Sequence, residues 1–199
     1  MDEMPQLITA RLRLRPFMMN DLEDIYQLLD IDLKDDDTGS EKMDSQQERA
    51  DWLQWTVINY RQLAKLNQPP YGDRAIVLKS SGQLIGACGF VQCLNAFEQC
   101  PNFSFYNPAS DPGQYTAEFG LYYAISPGQQ RYGYATEAAT ALVEYAFTQL
   151  KLKRVVATTS FANHASIAVM KKLGMRVESN PRPEPPWLQV VGVIENNLA

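Results

Sequence analysis

The sequence predicts an α/β domain whose mixed sheet carries helices on both faces. Three observations carry that expectation. Short segments of period-two alternation or β-rich composition recur along the chain, segments of helical period lie among them, and the second half switches regularly between helix and strand. The chain has 199 residues, a length that suits one domain, and its pattern shows no second core, so residues 1–199 read as a single domain.

The elements follow in order. Thr9–Arg15 alternates Leu12 and Leu14 with Arg11, Arg13 and Arg15, as a half-buried strand does, and Pro16 ends it. Asn20 and Glu23 form a capping-box pattern for a first helix that runs to about Asp30 on Leu22, Ile25, Leu28 and Leu29. Ser45 and Glu48 open a second helix whose face is Trp52, Trp55, Tyr60, Leu63 and Leu66 and which Pro69 and Pro70 terminate. Arg74–Lys79 and Gln83–Leu94 read as a hairpin around Ser80-Ser81-Gly82. Ala96–Tyr115, rich in Pro and Asn, reads as a long loop, and loops of that length are often functional. Thr116–Ile125 is a strand. Tyr134–Leu150 is a strongly amphipathic helix on Ala135, Ala138, Ala139, Leu142, Val143, Ala146 and Leu150. Strand Arg154–Ser160, helix Ser166–Leu173, strand Met175–Glu178 and strand Leu188–Glu195 complete the order β-α-α-β-β-β-α-β-α-β-β, about seven strands.

Composition narrows the function classes. Asp30, Asp32, Asp35, Asp36, Asp37, Glu41 and Asp44 against Lys34 and Lys42 account for the whole formal net charge of -5. Elsewhere 16 acidic residues balance 16 basic ones, so no basic stripe suggests a nucleic-acid partner. The acidic window reads as a solvated loop. No apolar run approaches the ~18 residues of a membrane helix, and Met1–Arg15 lacks a signal core, so a cytoplasmic protein without a membrane partner is expected. Cys88, Cys93 and Cys100, with the single His164, lack metal-ligand spacing, so no metal is expected. Cys88 and Cys93 are expected as buried thiols and Cys100 at the surface.

The segment Tyr122–Ala139 (YYAISPGQQRYGYATEAA) carries the chemistry. A strand enters a turn, and Gln130, Arg131, Tyr132, Gly133, Tyr134 and Ala135 open a long helix. A helix N-terminus presents unpaired N–H groups and the positive end of the macrodipole. Small Gly133 and Ala135 let a pyrophosphate approach the backbone, and Thr136 adds a hydroxyl. On this segment alone an ordinary strand–turn–helix packing is an equal reading. The segment has neither the lysine of a Walker A loop nor the G-x-G-x-x-G of a dinucleotide fold.

Gln130–Ala135 resembles the [RQ]-x-x-G-x-[GA] pyrophosphate loop of the GNAT superfamily of N-acetyltransferases. Leu12-Arg13-Leu14-Arg15-Pro16, Gly82-Gln83-Leu84-Ile85-Gly86, Asn163-His164-Ala165-Ser166 and Lys172-Leu173-Gly174-Met175 are similar, in register, to segments of its ribosomal-protein-alanine acetyltransferase-like branch. The resemblance spans nearly the whole chain apart from the acidic window and the Ala96–Gln114 insert. It implies a twisted, mainly antiparallel mixed sheet and acetyl-CoA as co-substrate. It further implies pantetheine along Tyr123, Ala124 and Ile125, the pyrophosphate at Gln130, Arg131, Tyr132, Gly133, Tyr134, Ala135 and Thr136, and cofactor contacts from Asn163 and Ser166.

The implied chemistry is direct attack of a primary amine on the thioester in a ternary complex. An ammonium must first lose a proton to a base, and the tetrahedral oxyanion needs a donor. Glu118 is the candidate base, Ser166 the candidate acid toward the leaving thiolate, and Tyr123 a second hydroxyl. Glu118 as a structural strand carboxylate, and Asn163 and Ser166 as helix-capping residues, are the competing readings. His164 reads as a spacer, since adjacent helix residues do not share a face. The acceptor is a small cationic amine or a protein N-terminus, and the alternative is an acyl-CoA-binding module without turnover. Leu188–Ile194 reads as an exposed or exchanged edge through which a homodimer would form. Replacing Asp35, Asp36 and Asp37 with Asn should raise the KM of a cationic acceptor several-fold at low salt, with the difference fading at high salt. An unchanged low-salt KM would remove the loop from acceptor steering.

Overall fold

The computed structural model describes residues 4–34, 42–101, 114–182 and 184–196. Its strands are β1 (Leu7–Ile8), β2 (Leu12–Pro16), β3 (Asp73–Leu78), β4 (Leu84–Asn95), β5 (Thr116–Ile125), β6 (Arg154–Thr159), β7 (Arg176–Ser179) and β8 (Val190–Glu195). Its helices are α1 (Leu22–Tyr26), α2 (Gln46–Lys65), α3 (Tyr134–Thr148) and α4 (His164–Lys172). The strands form one mixed sheet in the order β1-β2-β3-β4-β5-β6-β8-β7. The β1–β2, β2–β3, β3–β4, β6–β8 and β7–β8 ladders are antiparallel, and β5–β6 is parallel. The α/β class and the mainly antiparallel sheet agree with expectation. The eighth strand arises because the Thr9 hydroxyl accepts from the Leu12 amide, closing a turn that folds Leu7–Ile8 back onto Leu14 and Arg13.

The chain divides into two compact units, residues 1–90 with 122–142, and residues 91–121 with 143–199. Each unit has its own cluster of buried side chains. The division cuts through β4, β5 and α3 rather than through a loop, so no change of composition marks it.

In the first unit Phe17, Ile25, Leu28, Leu29, Leu33 and Leu53 pack with Ala75, Val77, Leu84, Ala87 and Ala124. A 3-10 turn, Met19–Asp21, occupies the place where the Asn20 pattern puts the helix cap, and α1 follows it. Asp21 accepts from the Met18 amide at 2.8 Å and from both Arg15 Nη atoms at 2.7 Å, so one carboxylate caps the entry turn and anchors it to β2. Beyond Tyr26 the helix widens into a π turn over Gln27–Asp32. That turn buries three consecutive side chains, Leu28, Leu29 and Asp30, more than a regular α turn directs to one side. Helix α2 begins as expected, with Ser45 Oγ accepting from the Glu48 amide. Its buried stripe is Arg49, Leu53, Thr56 and Leu63, while Trp55 is 59% and Leu66 67% exposed. Two members of that stripe are polar, so hydrophobicity alone misplaced the face.

Asp30 is the physical reason for the stripe's polar start. The sequence placed it in a solvated acidic loop, but it is buried, and Arg49 Nε and Nη2 meet its two oxygens at 2.7 Å each. The Met43 amide donates to the same carboxylate at 2.8 Å. The other charges of that window that carry the steering argument, Asp35, Asp36, Asp37 and Glu41, lie outside the described residues.

In the second unit Phe97, Cys100, Val156, Leu188, Val191 and Val193 form the core. Cys100, expected at the surface, is buried because the 3-10 turn Phe97–Gln99 folds it inward, and burial pushes its thiol up to about 12. Residues 102–113 of the predicted loop lie outside the described residues. Strand β8 pairs with β6 on one side and β7 on the other, so Leu188–Ile194 is no exposed edge, and the homodimer reading loses that basis. Removing one partner of the buried Asp30–Arg49 pair leaves an unpaired charge inside, so Arg49→Ala should lower unfolding free energy by about 3 kcal/mol. Denaturant titration measures it, and a loss below ~1 kcal/mol would show the pair to be solvent-relaxed.

Candidate active site

In the first unit the end of β5 leads straight into the α3 N-terminus. The Ser126 amide donates to Ile85 O at 2.9 Å, and a side chain at Gly86 would collide with the Ala124 carbonyl. Only glycine lets β4 approach β5 so closely there, which explains Gly86 in the hairpin motif. After the 3-10 turn Pro127–Gln129, Gln130 Nε2 donates back to Ile125 O at 3.1 Å. Gln130 therefore braces the loop with its own side chain.

The loop then takes two left-handed residues, Arg131 (φ 67°) and Gly133 (φ 83°). An arginine in that region is strained, and such strain tends to persist where a backbone shape is needed. The first bond into α3 runs from the Glu137 amide to Gly133 O at 3.0 Å. The amides of Tyr134, Ala135 and Thr136 thus have no intrahelical acceptor. Gln130, Arg131, Tyr132 and Gly133 are exposed, so this amide-rich turn is open to an anion. The Thr136 carbonyl accepts from the Thr140 hydroxyl at 2.9 Å. Ala124 and Ile125 are buried and Tyr123 half-buried on β5.

A carboxylate in the first turn of an anion-binding helix would compete with the anion. Glu137 stands there, and its charge is answered from within the protein. Its Oε1 accepts from the Thr9 hydroxyl at 2.5 Å and the Arg11 amide at 2.8 Å, and its Oε2 from Arg11 Nε at 2.6 Å. Arg11 also donates to Tyr132 O at 3.0 Å and lies 4.5 Å above the Tyr134 ring. The Tyr132 and Tyr134 rings stack at 5.8 Å. Sequence reasoning overlooked this cluster. Its only local signals were an acid in the first helical turn and an arginine at the entry to the alternating strand.

The second unit holds the other expected residues. Glu118 is buried, and Arg154 Nε and Nη2 donate to its two oxygens at 2.8 and 2.5 Å. Both carboxylate oxygens are thus engaged. Asn163 caps α4, its Oδ1 accepting from the Ser166 amide at 3.0 Å, while His164 is exposed on the first turn. The capping reading of Asn163 is realised, and the Ser166 hydroxyl is half-buried beside it. Among the described residues no three His, Cys, Asp or Glu side chains are grouped to hold a metal, and no helix is long and apolar enough to cross a membrane.

Residues 11–176 match the family model described as an acetyltransferase (GNAT) domain. YnaD of Bacillus subtilis (strain 168), described as an uncharacterized N-acetyltransferase, is 46% identical over 66 residues, 33% of this chain and 38% of that protein. An acetyltransferase structure from Agrobacterium tumefaciens str. C58 superposes with TM-score 0.70 at 24% identity, covering 98% of this chain and 96% of the other. RimL, a ribosomal L7/L12 alpha-N-protein acetyltransferase in complex with coenzyme A, superposes with TM-score 0.64 at 14% identity, covering 98% and 100%.

Burial alone would push the Glu137 carboxyl up, but hydrogen bonds from Thr9 and from the Arg11 amide and guanidinium outweigh it and hold the group below the usual range. A lowered folded-state pKa adds stability above the unfolded value of about 4.3, and that stability is lost as pH falls through the folded value. Glu137→Gln should therefore cost about 1 kcal/mol at pH 7 and nothing once wild-type Glu137 is protonated in acid. A pH-independent difference in thermal midpoint would contradict the clamp.

Proposed function

The chain belongs to the GNAT acetyltransferase family, and from that membership we propose that it transfers acetyl from acetyl-CoA to a primary amine in a ternary complex. The observation that carries this reading is the exposed turn Gln130–Gly133 with its two left-handed residues ahead of α3. Its amides suit a pyrophosphate, and the Arg11–Glu137 clamp removes the one negative charge that would oppose it. In this reading Gln130, Arg131, Tyr132, Gly133, Tyr134, Ala135 and Thr136 hold the diphosphate. Tyr123, Ala124 and Ile125 offer backbone groups to the pantetheine, and Asn163 and Ser166 add contacts from α4. Acetyl-CoA supplies an activated acyl group; the protein supplies orientation, a proton acceptor and a donor for the oxyanion.

Ser166 and Tyr123 are the proposed hydroxyl donors to the departing thiolate. For Glu118 to accept a proton, Arg154 must release one of its two bonds, so the Glu118→Gln variant belongs in every assay. The acceptor is proposed as a protein N-terminus or a small cationic amine; RimL, by its description, acts on the former.

Coenzyme A release from acetyl-CoA, followed with a panel of diamines, aminoglycosides and short peptides, tests the reading. Turnover with at least one class is expected. Gly133→Val should raise the KM for acetyl-CoA about tenfold, since a β-branched side chain at a left-handed position costs about 1–2 kcal/mol. Tight acetyl-CoA binding with no release on any amine would instead identify an acyl-CoA-binding module.

A further inference from the structure

One carboxylate of the first unit has no counterpart in the roles assigned so far. Asp73 opens β3 and is 8% exposed. Its Oδ1 is buried without a hydrogen-bond partner. The space it occupies is kept open by Gly89, where a Cβ would stand 2.9 Å from Asp73 Oδ1 and 2.5 Å from Gly72 O. No salt bridge to Asp73 occurs among the described residues. Arg49, the cation whose charge reaches Asp73, is itself committed to Asp30 through two bonds.

The groups facing this carboxylate come from every element around it. From α2 come Arg49 and Tyr60, whose hydroxyl donates to the Asp73 carbonyl at 2.5 Å. Arg74 lies on the same strand, Cys88 on β4 and Tyr122 on β5, and the charge of Asp73 acts on the last two. Asp30 stands behind Arg49. Burial pushes the Asp73 carboxyl up to about 7, with Arg49 pulling the other way. A buried carboxylate oxygen without a hydrogen-bond partner is unfavourable for folding and persists mainly where a ligand or a reaction needs it.

We propose that Asp73 is the group that receives the acceptor's ammonium and takes its proton. The assignment rests on the acetyl-transfer reading and adds a catalytic residue to it. The position suits the task, because Tyr122 precedes by one residue the Tyr123–Ile125 stretch assigned to the pantetheine. The ammonium gives one proton to the Asp73 carboxylate and becomes a neutral amine. Its lone pair forms the N–C bond to the acetyl carbon, and as the tetrahedral adduct collapses the C–S bond breaks with its electrons on sulfur. The nitrogen's second proton goes to that thiolate, giving the amide and coenzyme A, and Asp73 releases its proton to water. The two phenols and Trp52 beside Arg49 give the surroundings an aromatic character that suits a cation.

The test uses full-length wild type, Asp73→Asn, Asp73→Glu and Glu118→Gln. Acetyl-CoA binding is measured by calorimetry, and turnover of acetyl-CoA with 1,4-diaminobutane and with an alanine-initiated tripeptide by thiol release. Asp73→Asn should bind acetyl-CoA within about twofold of wild type yet lose about 10²–10⁴-fold in turnover together with the rise of rate near pH 7. Asp73→Glu should restore part of both. A raised folded-state carboxyl pKa lowers stability as pH climbs from the unfolded value of about 3.9 to the folded value, so the Asn variant should gain in thermal midpoint over wild type progressively between about pH 4 and 7. Wild-type turnover in Asp73→Asn, or parallel pH–stability curves, would overturn the assignment. No acetyl-CoA bound, or no turnover of either amine by wild type, would overturn the transfer reading on which it stands.

Discussion

The Glu137 carboxylate, held by Thr9 and Arg11, is the interaction on which the candidate site turns. It ties the short turn between β1 and β2 to the first turn of α3, across 126 residues of sequence. Lys79 fastens the other side of the same turn, its Nζ donating to Thr9 O and Ala10 O. The helix N-terminus is thereby positioned by the sheet's first hairpin as well as by the loop before it. Electrostatically the clamp does more. The helix start proposed to bind a diphosphate has the one acid of its first turn already paired, so the amides and dipole act without opposition. The partly exposed ion pair would be worth little as a lone surface contact, but three hydrogen bonds to one carboxylate, a further bond from Arg11 to the Tyr132 carbonyl and a guanidinium over an aromatic ring make it a network.

The first unit contains two buried acids with opposite fates. Asp30 is matched by Arg49 with paired bonds and a backbone amide, as a structural carboxylate should be. Asp73 accepts from Tyr60 on its backbone carbonyl, while its buried Oδ1 has no hydrogen-bond partner. The contrast within one small region separates a charge used to fix the α2 packing from the one proposed to meet the acceptor's ammonium. Glu118, in the second unit, belongs with Asp30 by geometry, since Arg154 answers both its oxygens.

Much of this was legible in the sequence. The alternation of Leu12 and Leu14, the Ser45 cap, the hairpin around Gly82 and the apolar face of α3 all follow from periods that burial imposes over short distances. The loop Gln130–Ala135 stood out through its resemblance to a family pattern, because small residues at a helix start serve ordinary packing equally well. What stayed hidden was nonlocal. The inner stripe of α2 includes Thr56 and Arg49, and the burial of Arg49 depends on Asp30 nineteen positions away. Asp21 caps a turn that Asn20 seemed suited to cap, because Arg15 positions it from β2. Asp73, between Gly72 and Arg74, has the look of a solvated turn residue, and only the closeness of Gly89 reveals that it is enclosed. No periodicity marks a single polar side chain inside a fold.

The placement of β8 has a bearing on how the second unit is made. Its two neighbours, β6 and β7, both leave the ribosome before it, and β8 must slot between them, pairing with each along its length. Until then both earlier strands present open edges, and Val155, Val156, Ala157 and Val177 lack the chain that covers them. A growing polypeptide therefore passes through a stage in which this half is at its stickiest just before it closes, the kind of interval during which chaperones act.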